Sequence, residues 1–274
     1  MRLLFAQSVW SVWKCLIIIG TEGTTSISDN KSYSDACKRA ASDLNLFNNF
    51  RCNKDYTNIL EHVSESLGQT YLELILKDNQ ISKAIQEFKL NDLYGNPRMF
   101  DFKSFGMVSP TTLRYIKVLT DLKAHFQSLD GMKICEIGVG YGGQCRIVNA
   151  FYQTMVYCLV DLKPALNLAK RFLSNFKMEV ELSFKAMEEL DNTAYDLVIS
   201  NYAFSELTRS VQNEYLSKVI LKSSRGYITY NEITPVEFNS YKATELIAMI
   251  PGARRISEIP LTHSKNCIIV WGGS

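Results

Sequence analysis

The sequence lacks the paired cysteines and clustered histidines that usually mark a metal centre. None of its seven cysteines is spaced from another as C-x-x-C. Single cysteines scattered through apolar runs are typical of reduced core residues in a reducing compartment, and not of disulfides or zinc ligands. No group of His and Asp residues has the spacing of metal ligands, so the sequence offers no support for a metal site.

A strongly basic run is also missing. The 30 Lys and Arg residues nearly balance the 28 Asp and Glu residues, which leaves a formal net charge of +2. Because these charges are scattered along the chain, we expect that nucleic acid is not the main partner. A length of 274 residues with 46% apolar side chains predicts one sizeable α/β domain and a smaller appendage.

The first residues do not supply the uninterrupted apolar stretch of about 20 residues that a membrane-spanning helix needs. Polar side chains interrupt the two apolar runs within residues 1–20. Trp10 and Trp13, next to Lys14, would allow this segment to contact a membrane surface. We therefore expect a cytoplasmic protein whose association with a membrane, if it has any, is through residues 1–20.

A glycine-rich turn follows a short apolar run at residues 133–137, which is typical of a buried parallel strand. Gly138, Gly140 and Gly142 remove the Cβ atoms that would keep a ligand away from the backbone. The helix predicted to begin at about Gly143 would point its free N–H groups at the same place. This arrangement favours a nucleoside-type ligand that carries an anionic group.

An acidic residue, Asp161, ends the next predicted strand. A carboxylate at that position can accept hydrogen bonds from both hydroxyls of a ribose. The glycine spacing alone fits two cofactor classes, because Gly138, Gly140 and Gly143 also satisfy the G-x-G-x-x-G pattern of dinucleotide binders.

The run from Glu136 to Gly143 resembles motif I of the S-adenosylmethionine-dependent methyltransferases of the Rossmann-like class. Residues 254–259 and 266–271 are predicted strands with no helix between them, which indicates a β-hairpin. A last strand that runs antiparallel into the sheet distinguishes this class from the dehydrogenases. We therefore predict an α/β fold with a Rossmann-like seven-stranded methyltransferase sheet, a terminal antiparallel β-hairpin and a small helical N-terminal subdomain before it.

Periodicity and turn residues divide the chain into three parts. Residues 1–31 are predicted to be an N-terminal apolar segment and linker, and residues 32–108 a helical N-terminal subdomain with one helix over residues 56–67. Residues 109–274 are predicted to be the S-adenosylmethionine-binding methyltransferase domain.

Residues from about 34 to about 272 resemble the bacterial family of sugar O-methyltransferases. The resemblance implies S-adenosylmethionine as the cofactor and transfer of its methyl group to a hydroxyl of a sugar or glycan-type acceptor, either a carbohydrate or a nucleotide-sugar. Besides the glycine-rich turn, the strings that carry it are Leu93–Pro97, Ser109–Tyr115, Ser200–Glu206 and Trp271-Gly272.

The predicted strand ends and the resemblance together indicate which residues contact the cofactor. Tyr115 lies in the first turns of a helix that Ser109 and Pro110 are expected to open, within reach of the cofactor's amino-acid end. In methyltransferases of this class, the loop after the third strand covers the adenine, which implies contacts from Met187 and Glu188. The expected cofactor-binding residues are Tyr115, Glu136, Gly138, Gly140, Gly142, Asp161, Leu162, Met187, Glu188 and Asn201.

A sugar hydroxyl is a poor nucleophile until its proton leaves, so the reaction calls for a positioned base. Glu206, Glu232 and His263 lie at predicted strand ends or in the hairpin loop, and we rank them in that order. Alternatives are a nicotinamide-dependent oxidoreductase, a non-catalytic module that keeps the cofactor fold, and a methyltransferase for a small aromatic or lipid hydroxyl.

Overall fold

The computed structural model describes residues 25–26, 31–103 and 105–273. Its first part consists of short helices and a small two-stranded antiparallel sheet. These elements are α1 (Lys31–Ser42), α2 (Leu44–Phe47), α3 (Lys54–Thr57), α4 (Glu65–Ile75), α5 (Asn79–Lys83), α6 (Ile85–Phe88), β1 (Phe100–Phe102) and β2 (Gly106–Val108).

The rest of the described chain forms the main sheet and the helices that cover it. These elements are α7 (Pro110–Phe126), β3 (Lys133–Ile137), α8 (Gly143–Asn149), β4 (Val156–Val160), α9 (Lys163–Leu173), β5 (Glu181–Lys185), β6 (Leu197–Asn201), α10 (Arg209–Lys218), β7 (Arg225–Asn231), α11 (Ala243–Met249), β8 (Arg254–Ile256) and β9 (Asn266–Trp271).

The seven strands of the main sheet lie in the order β5-β4-β3-β6-β7-β9-β8. The first five are parallel to one another, whereas β9 runs antiparallel to both β7 and β8. All residues of β9 are buried, and β8 joins the sheet through β9. The predicted seven-stranded sheet with a terminal antiparallel hairpin is therefore confirmed.

The carboxyl ends of the central strands meet at one edge of the sheet. Ile137 of β3 is level with Val160 of β4 on one side and with Ser200 of β6 on the other. The strand order reverses at β3, and in open α/β sheets ligands bind outside the carboxyl ends of the strands at such a point. The glycine-rich turn therefore lies at the expected place.

The single helix predicted over residues 56–67 is wrong. The chain leaves α3 at Thr57, passes through turns, and enters α4 only after Ser64. The Ser64 hydroxyl accepts a hydrogen bond from the Leu67 N–H at 3.2 Å, so this serine caps a new helix. Serine favours caps over helix interiors because its side chain competes for backbone hydrogen bonds, and here that local preference outweighs the apolar periodicity.

The helical segment and the main sheet share one hydrophobic core. Tyr141, in the glycine-rich turn, packs edge-on against Phe172 of α9 at 4.7 Å between ring centroids. On its other side, Phe50 of the helical segment lies 5.5 Å from the same ring. The core therefore continues across the predicted boundary at residue 108.

A buried ion-pair network, which we call the Arg51 network (Arg51, Glu61, Asp92 and Ser109), joins the helical segment to α7. Arg51 is 1% exposed. Its guanidinium donates to Glu61 at 2.6 Å, to Asp92 at 2.9 Å and to the Ser109 hydroxyl at 2.9 Å. The same group lies 4.9 Å from the ring centroid of Tyr141. One cation thus fixes three separate chain segments against the glycine-rich turn.

Asp92 extends this network to the start of α7. Its carboxylate accepts hydrogen bonds from the Ser109 N–H and from the Ser109 and Thr112 hydroxyls, each at 2.7 Å. The Ser109 hydroxyl in turn accepts from the Thr112 N–H at 3.1 Å, which confirms the predicted capped start of this helix.

No helix among the residues described above is both long and apolar enough to cross a membrane. Residues 1–20, the segment whose sequence would allow membrane contact, lie outside the described residues. Contact of Trp10 and Trp13 with a membrane therefore stays a prediction.

Replacing Arg51 by methionine should destabilise the protein by roughly 3–5 kcal/mol, because Glu61 and Asp92 would be left as buried charges without a cation. Chemical denaturation followed by circular dichroism measures this change in the free energy of unfolding. Arg98→Met is the matched control at an exposed position and should change it by about 0.5 kcal/mol or less. A loss below about 1 kcal/mol in Arg51→Met would contradict the central role of the network.

Candidate active site

The turn between β3 and α8 requires glycine for conformational reasons. Gly138, Gly140 and Gly142 have φ angles of 80°, 54° and 84°. Residues with a Cβ atom rarely adopt such left-handed conformations. The predicted motif therefore forms a tight turn directly at the carboxyl end of β3.

Asp161, at the carboxyl end of β4, turns its side chain towards this glycine turn. One carboxylate oxygen accepts a hydrogen bond from the Gly140 N–H at 2.9 Å, and the other accepts from the Leu162 N–H at 2.7 Å. Burial raises the pKa of the Asp161 carboxyl to about 6, although these backbone hydrogen bonds act in the opposite direction. The carboxylate is therefore fixed beside the turn.

The glycine turn is covered by side chains of the same chain, which differs from the expectation of bare backbone. A Cβ atom built on Gly138 would lie 2.0 Å from the Cβ atom of Ala203 in the loop after β6. A Cβ atom on Gly140 would lie 2.6 Å from a methyl group of Leu60, in the turn region between α3 and α4. The absence of side chains at these two glycines therefore makes room for Ala203 and Leu60.

Glu136 carries a buried carboxyl group. It lies on β3, two residues before Gly138. It is 2% exposed and accepts a hydrogen bond from the Tyr157 hydroxyl at 2.8 Å. Burial raises its pKa to about 8, against the effect of that hydrogen bond. No Lys or Arg of the described chain forms an ion pair with it, so the site contains a carboxyl group without a compensating cation.

The other residues predicted to bind the cofactor lie along the same edge. Tyr115 is 5% exposed, and its ring lies 6.0 Å from that of Tyr141. Asn201 ends β6, and its buried Oδ1 atom has no hydrogen-bond partner among the described residues. Leu162 and Met187 follow β4 and β5, with Leu162 exposed and Met187 half-buried. Glu188, next to Met187, is exposed to solvent.

The three residues predicted as bases are separated from one another. Glu206 ends a 3-10 turn at Ala203–Glu206. Glu232 accepts a hydrogen bond from the Ala243 N–H at 3.0 Å and so caps the start of α11. His263 accepts one from the Lys265 N–H at 3.1 Å in the β8–β9 connection. Their catalytic role stays a prediction.

A small cavity of about 20 Å³ lies at the carboxyl edge between α7, β6, β7 and the β8–β9 connection. None of the three predicted bases lines it. Its walls combine apolar surface with several polar side chains, namely an arginine, a lysine, an asparagine, a glutamate and three tyrosines. The lining residues are Tyr71, Arg114, Lys117, Val118, Asn201, Tyr202, Tyr227, Thr229, Glu258, Ile259 and Pro260.

Glu258 and Tyr202 form a hydrogen-bonded pair on the cavity wall, and the sequence analysis missed both as site residues. The Tyr202 hydroxyl donates to the Glu258 carboxylate, which also accepts from the Thr262 N–H at 2.9 Å and from the Asn266 amide at 3.1 Å. Tyr202 has a φ of 68°, which is uncommon for a bulky residue and is often associated with functional sites. Two sequence signals could have found this pair: Tyr202 lies in the Ser200–Glu206 string that carries the resemblance, and Glu258 lies in the predicted hairpin.

The sheet order and the antiparallel β9 decide the fold class. The fold is that of the Rossmann-like methyltransferases.

Within the described residues, no three His, Cys, Asp or Glu side chains are grouped so that they could hold a metal ion.

No family model matches the chain, and no curated protein matches its sequence. Among solved structures, it is similar to the 1320 protein of Thermoplasma acidophilum, with 14% identity, a TM-score of 0.44 and coverage of 69% of this chain and 97% of that one. An rRNA methylase from Streptococcus thermophilus is 17% identical, with a TM-score of 0.43 and coverage of 58% and 97%. The methyltransferase domain of bacterial CtHen1 is 15% identical, with a TM-score of 0.43 and coverage of 58% and 96%. These low values carry no argument about activity.

The stability of the protein should depend on pH through Glu136. Because its pKa is about 8 in the folded state against 4.5 ordinarily, the folded protein binds more protons between these values, and stability falls as pH rises through them. In Glu136→Gln this contribution is absent. Between pH 5 and pH 8.5 the free energy of unfolding of the wild type should fall by roughly 4 kcal/mol relative to that of Glu136→Gln, measured by denaturant unfolding at both pH values.

Glu188→Gln, at an exposed position, is the control and should keep the wild-type dependence on pH. Parallel pH profiles for Glu136→Gln and the wild type would contradict the assignment of the pH dependence to Glu136.

Proposed function

We propose that this protein is an S-adenosylmethionine-dependent O-methyltransferase that acts on a hydroxyl of a sugar or glycan-type acceptor, either a carbohydrate or a nucleotide-sugar. The observation that carries this proposal is the contact between the Asp161 carboxylate and the Gly140 N–H at the carboxyl edge of a methyltransferase-type sheet. This contact holds beside the glycine turn a carboxylate that could accept hydrogen bonds from the hydroxyls of a ribose. The sugar acceptor is supported by the resemblance in sequence alone.

The residues around the turn suit the charges and hydrogen-bonding groups of this cofactor. Asp161 could accept hydrogen bonds from ribose hydroxyls. Glu136, which has no cation beside it, would be compensated by an ammonium group. When bound, the cofactor would supply a sulfonium methyl group that a hydroxyl oxygen can attack, with the thioether of S-adenosylhomocysteine as the leaving group.

Cofactor binding requires Leu60 to leave its position beside Gly140. Leu60 is half-buried and belongs to the turns between α3 and α4, where fewer backbone hydrogen bonds hold the chain than in a helix. Such segments open at lower free energy than core strands or helices. We propose that the Leu60 side chain turns away from Gly140 when the cofactor enters, while Glu61 keeps its ion pair with Arg51.

We propose Glu258 as the proton acceptor, acting through Tyr202. As the acceptor hydroxyl loses its proton to the Tyr202 oxygen, Tyr202 passes its own proton to Glu258. Tyr202 therefore stays neutral, and the net result is transfer of one proton from the acceptor to the Glu258 carboxylate. This relay is supported by the hydrogen bond between Tyr202 and Glu258 on the cavity wall. Glu206, which ranks first on sequence grounds, is the competing candidate.

Calorimetric titration with S-adenosylhomocysteine tests the cofactor, with reduced nicotinamide dinucleotide as the comparison ligand. Binding of S-adenosylhomocysteine alone supports the proposal, and binding of the dinucleotide alone overturns it in favour of an oxidoreductase. A tritiated-methyl transfer screen over carbohydrates, nucleotide-sugars, small aromatic hydroxyls and RNA then identifies the acceptor. Cofactor binding without transfer to any acceptor would favour a non-catalytic module.

Asp161→Ala should weaken binding of S-adenosylhomocysteine by about 1–3 kcal/mol, because it removes charged hydrogen bonds to the ribose. The same titration measures this change, with the free energy of unfolding determined in parallel. Leu60→Ala should have the opposite effect and tighten binding of S-adenosylhomocysteine, because a smaller side chain has to leave its position beside Gly140. Unchanged affinity in Asp161→Ala would remove this residue from the cofactor site.

Glu258→Gln should lower kcat by about 10²-fold or more and leave the affinity for S-adenosylhomocysteine unchanged, because only the proton acceptor is lost. Glu206→Gln is the matched comparison. If Glu206→Gln loses turnover and Glu258→Gln keeps it, the base predicted from sequence is correct and the relay through Tyr202 is wrong.

A further inference from the structure

Arg114 is the unpaired cation of the small cavity. It lies on α7, its side chain is half-buried, and its guanidinium carbon is 5.5 Å from the ring centroid of Tyr115. Among the described residues, no carboxylate lies within ion-pair distance of it. Arg114 carries five N–H donors in a planar fork, and burying such a group without acceptors is costly. The cavity therefore exposes strong hydrogen-bond donors that the described protein does not satisfy.

The other charged groups of this cavity already have partners. The Lys117 ammonium lies 2.6 Å from a carboxylate oxygen of Asp121, and the same oxygen accepts from the Tyr227 hydroxyl at 2.5 Å. Glu258 accepts the hydrogen bonds described above, including those from Tyr202. The charge of Lys117 is thus balanced by Asp121, whereas Glu258 is hydrogen-bonded only to neutral groups. Arg114 is the cation of this cavity that forms no ion pair within the described residues, so its positive charge is available to a ligand.

A second unsatisfied group lines the same cavity. The Oδ1 atom of Asn201 is buried and has no hydrogen-bond partner in the described chain. As an amide oxygen it needs a donor, such as a hydroxyl group, whereas Arg114 needs an acceptor. A ligand that satisfies both must therefore present a hydroxyl group and an oxyanion close together.

We propose that this cavity binds the carboxylate or phosphate of an acidic acceptor through Arg114, with a hydroxyl of the same molecule on Asn201. The inference rests on the proposed function and narrows its acceptor to hydroxylated acids, such as sugar acids or sugar phosphates. Arginine is suited to this task because its fork binds carboxylate and phosphate in a bidentate manner. A volume of about 20 Å³ admits a small group and not a sugar ring, so the rest of the acceptor lies outside.

The position of the cavity agrees with this assignment. Asn201 ends β6, which is the neighbour of β3, and pairs in register with Thr229 of β7. The Tyr202 N–H donates to the Thr229 carbonyl at 2.9 Å, so the cavity wall continues the carboxyl edge that carries the glycine turn. An acid held by Arg114 would lie beside Tyr202 and Glu258, where the proposed proton transfer takes place.

The test is calorimetric titration of the full chain with glucuronic acid, glucose 1-phosphate and glucose. We expect at least one of the two acids to bind about tenfold or more tightly than glucose, because the carboxylate or phosphate pairs with Arg114. Arg114→Gln should lose at least tenfold in affinity for that acid, and Arg114→Lys should lose less, because it keeps the charge without the fork. The identity of the preferred acid distinguishes a carboxylate from a phosphate ligand.

Arg98→Gln is the matched control, since Arg98 also lies over an aromatic ring, that of Phe100 at 4.6 Å, but is exposed and does not line the cavity. It should bind the acid as the wild type does. The inference is overturned if the wild type binds the acids no more tightly than glucose. It is also overturned if Arg114→Gln binds the preferred acid as tightly as the wild type does. The free energy of unfolding, measured on every variant by chemical denaturation, reports correct folding independently of S-adenosylhomocysteine.

These outcomes separate the inference from the proposed function. If S-adenosylhomocysteine binds but no acid is preferred, only the acid site is wrong. If an acid binds through Arg114 and S-adenosylhomocysteine does not bind, the cavity is an anion site in a protein that is not a methyltransferase.

Discussion

The position of the glycine turn depends on one buried cation. Arg51 has carboxylates on two sides and a tyrosine ring of the turn on a third, so a single side chain links the helical segment, the start of α7 and the β3–α8 turn. A buried ion pair adds little to stability compared with a well-packed apolar core, but it penalises any arrangement that separates its members. The relative positions of these three segments, and with them the shape of the site, follow from that constraint.

The same region combines features that cost stability. Glu136 is a buried carboxyl group without a cation, Arg114 is a half-buried cation without a carboxylate, and Tyr202 has a strained backbone. Groups of this kind persist where surrounding structure holds them, and they concentrate at functional sites. Because the carboxyl group and the cation lie along one edge of one sheet, a ligand that carries both an ammonium and an oxyanion, or two ligands that carry one each, would compensate them.

The sheet could be predicted because each strand is a short apolar run with a turn or helix signal beside it, and because the paired runs 254–259 and 266–271 lack a helix between them. The capped start of α7 followed from Ser109 and Pro110. The cover over the turn could not be predicted, since it depends on which side chain from a distant segment meets Gly140. The partnership of Tyr202 and Glu258 was likewise invisible, because no local pattern distinguishes one loop carboxylate from another.

The place of β9 in the sheet has a consequence for how the protein is made. Ribosomes synthesise β8 before β9, yet β8 has no strand to pair with until β9 is inserted between it and β7. The nascent chain therefore exposes the open edge of β7 and a detached β8 until β9 emerges. An unpaired edge of this kind is a template for aggregation, so we expect this fold to be most dependent on chaperones in the interval between the synthesis of β7 and that of β9.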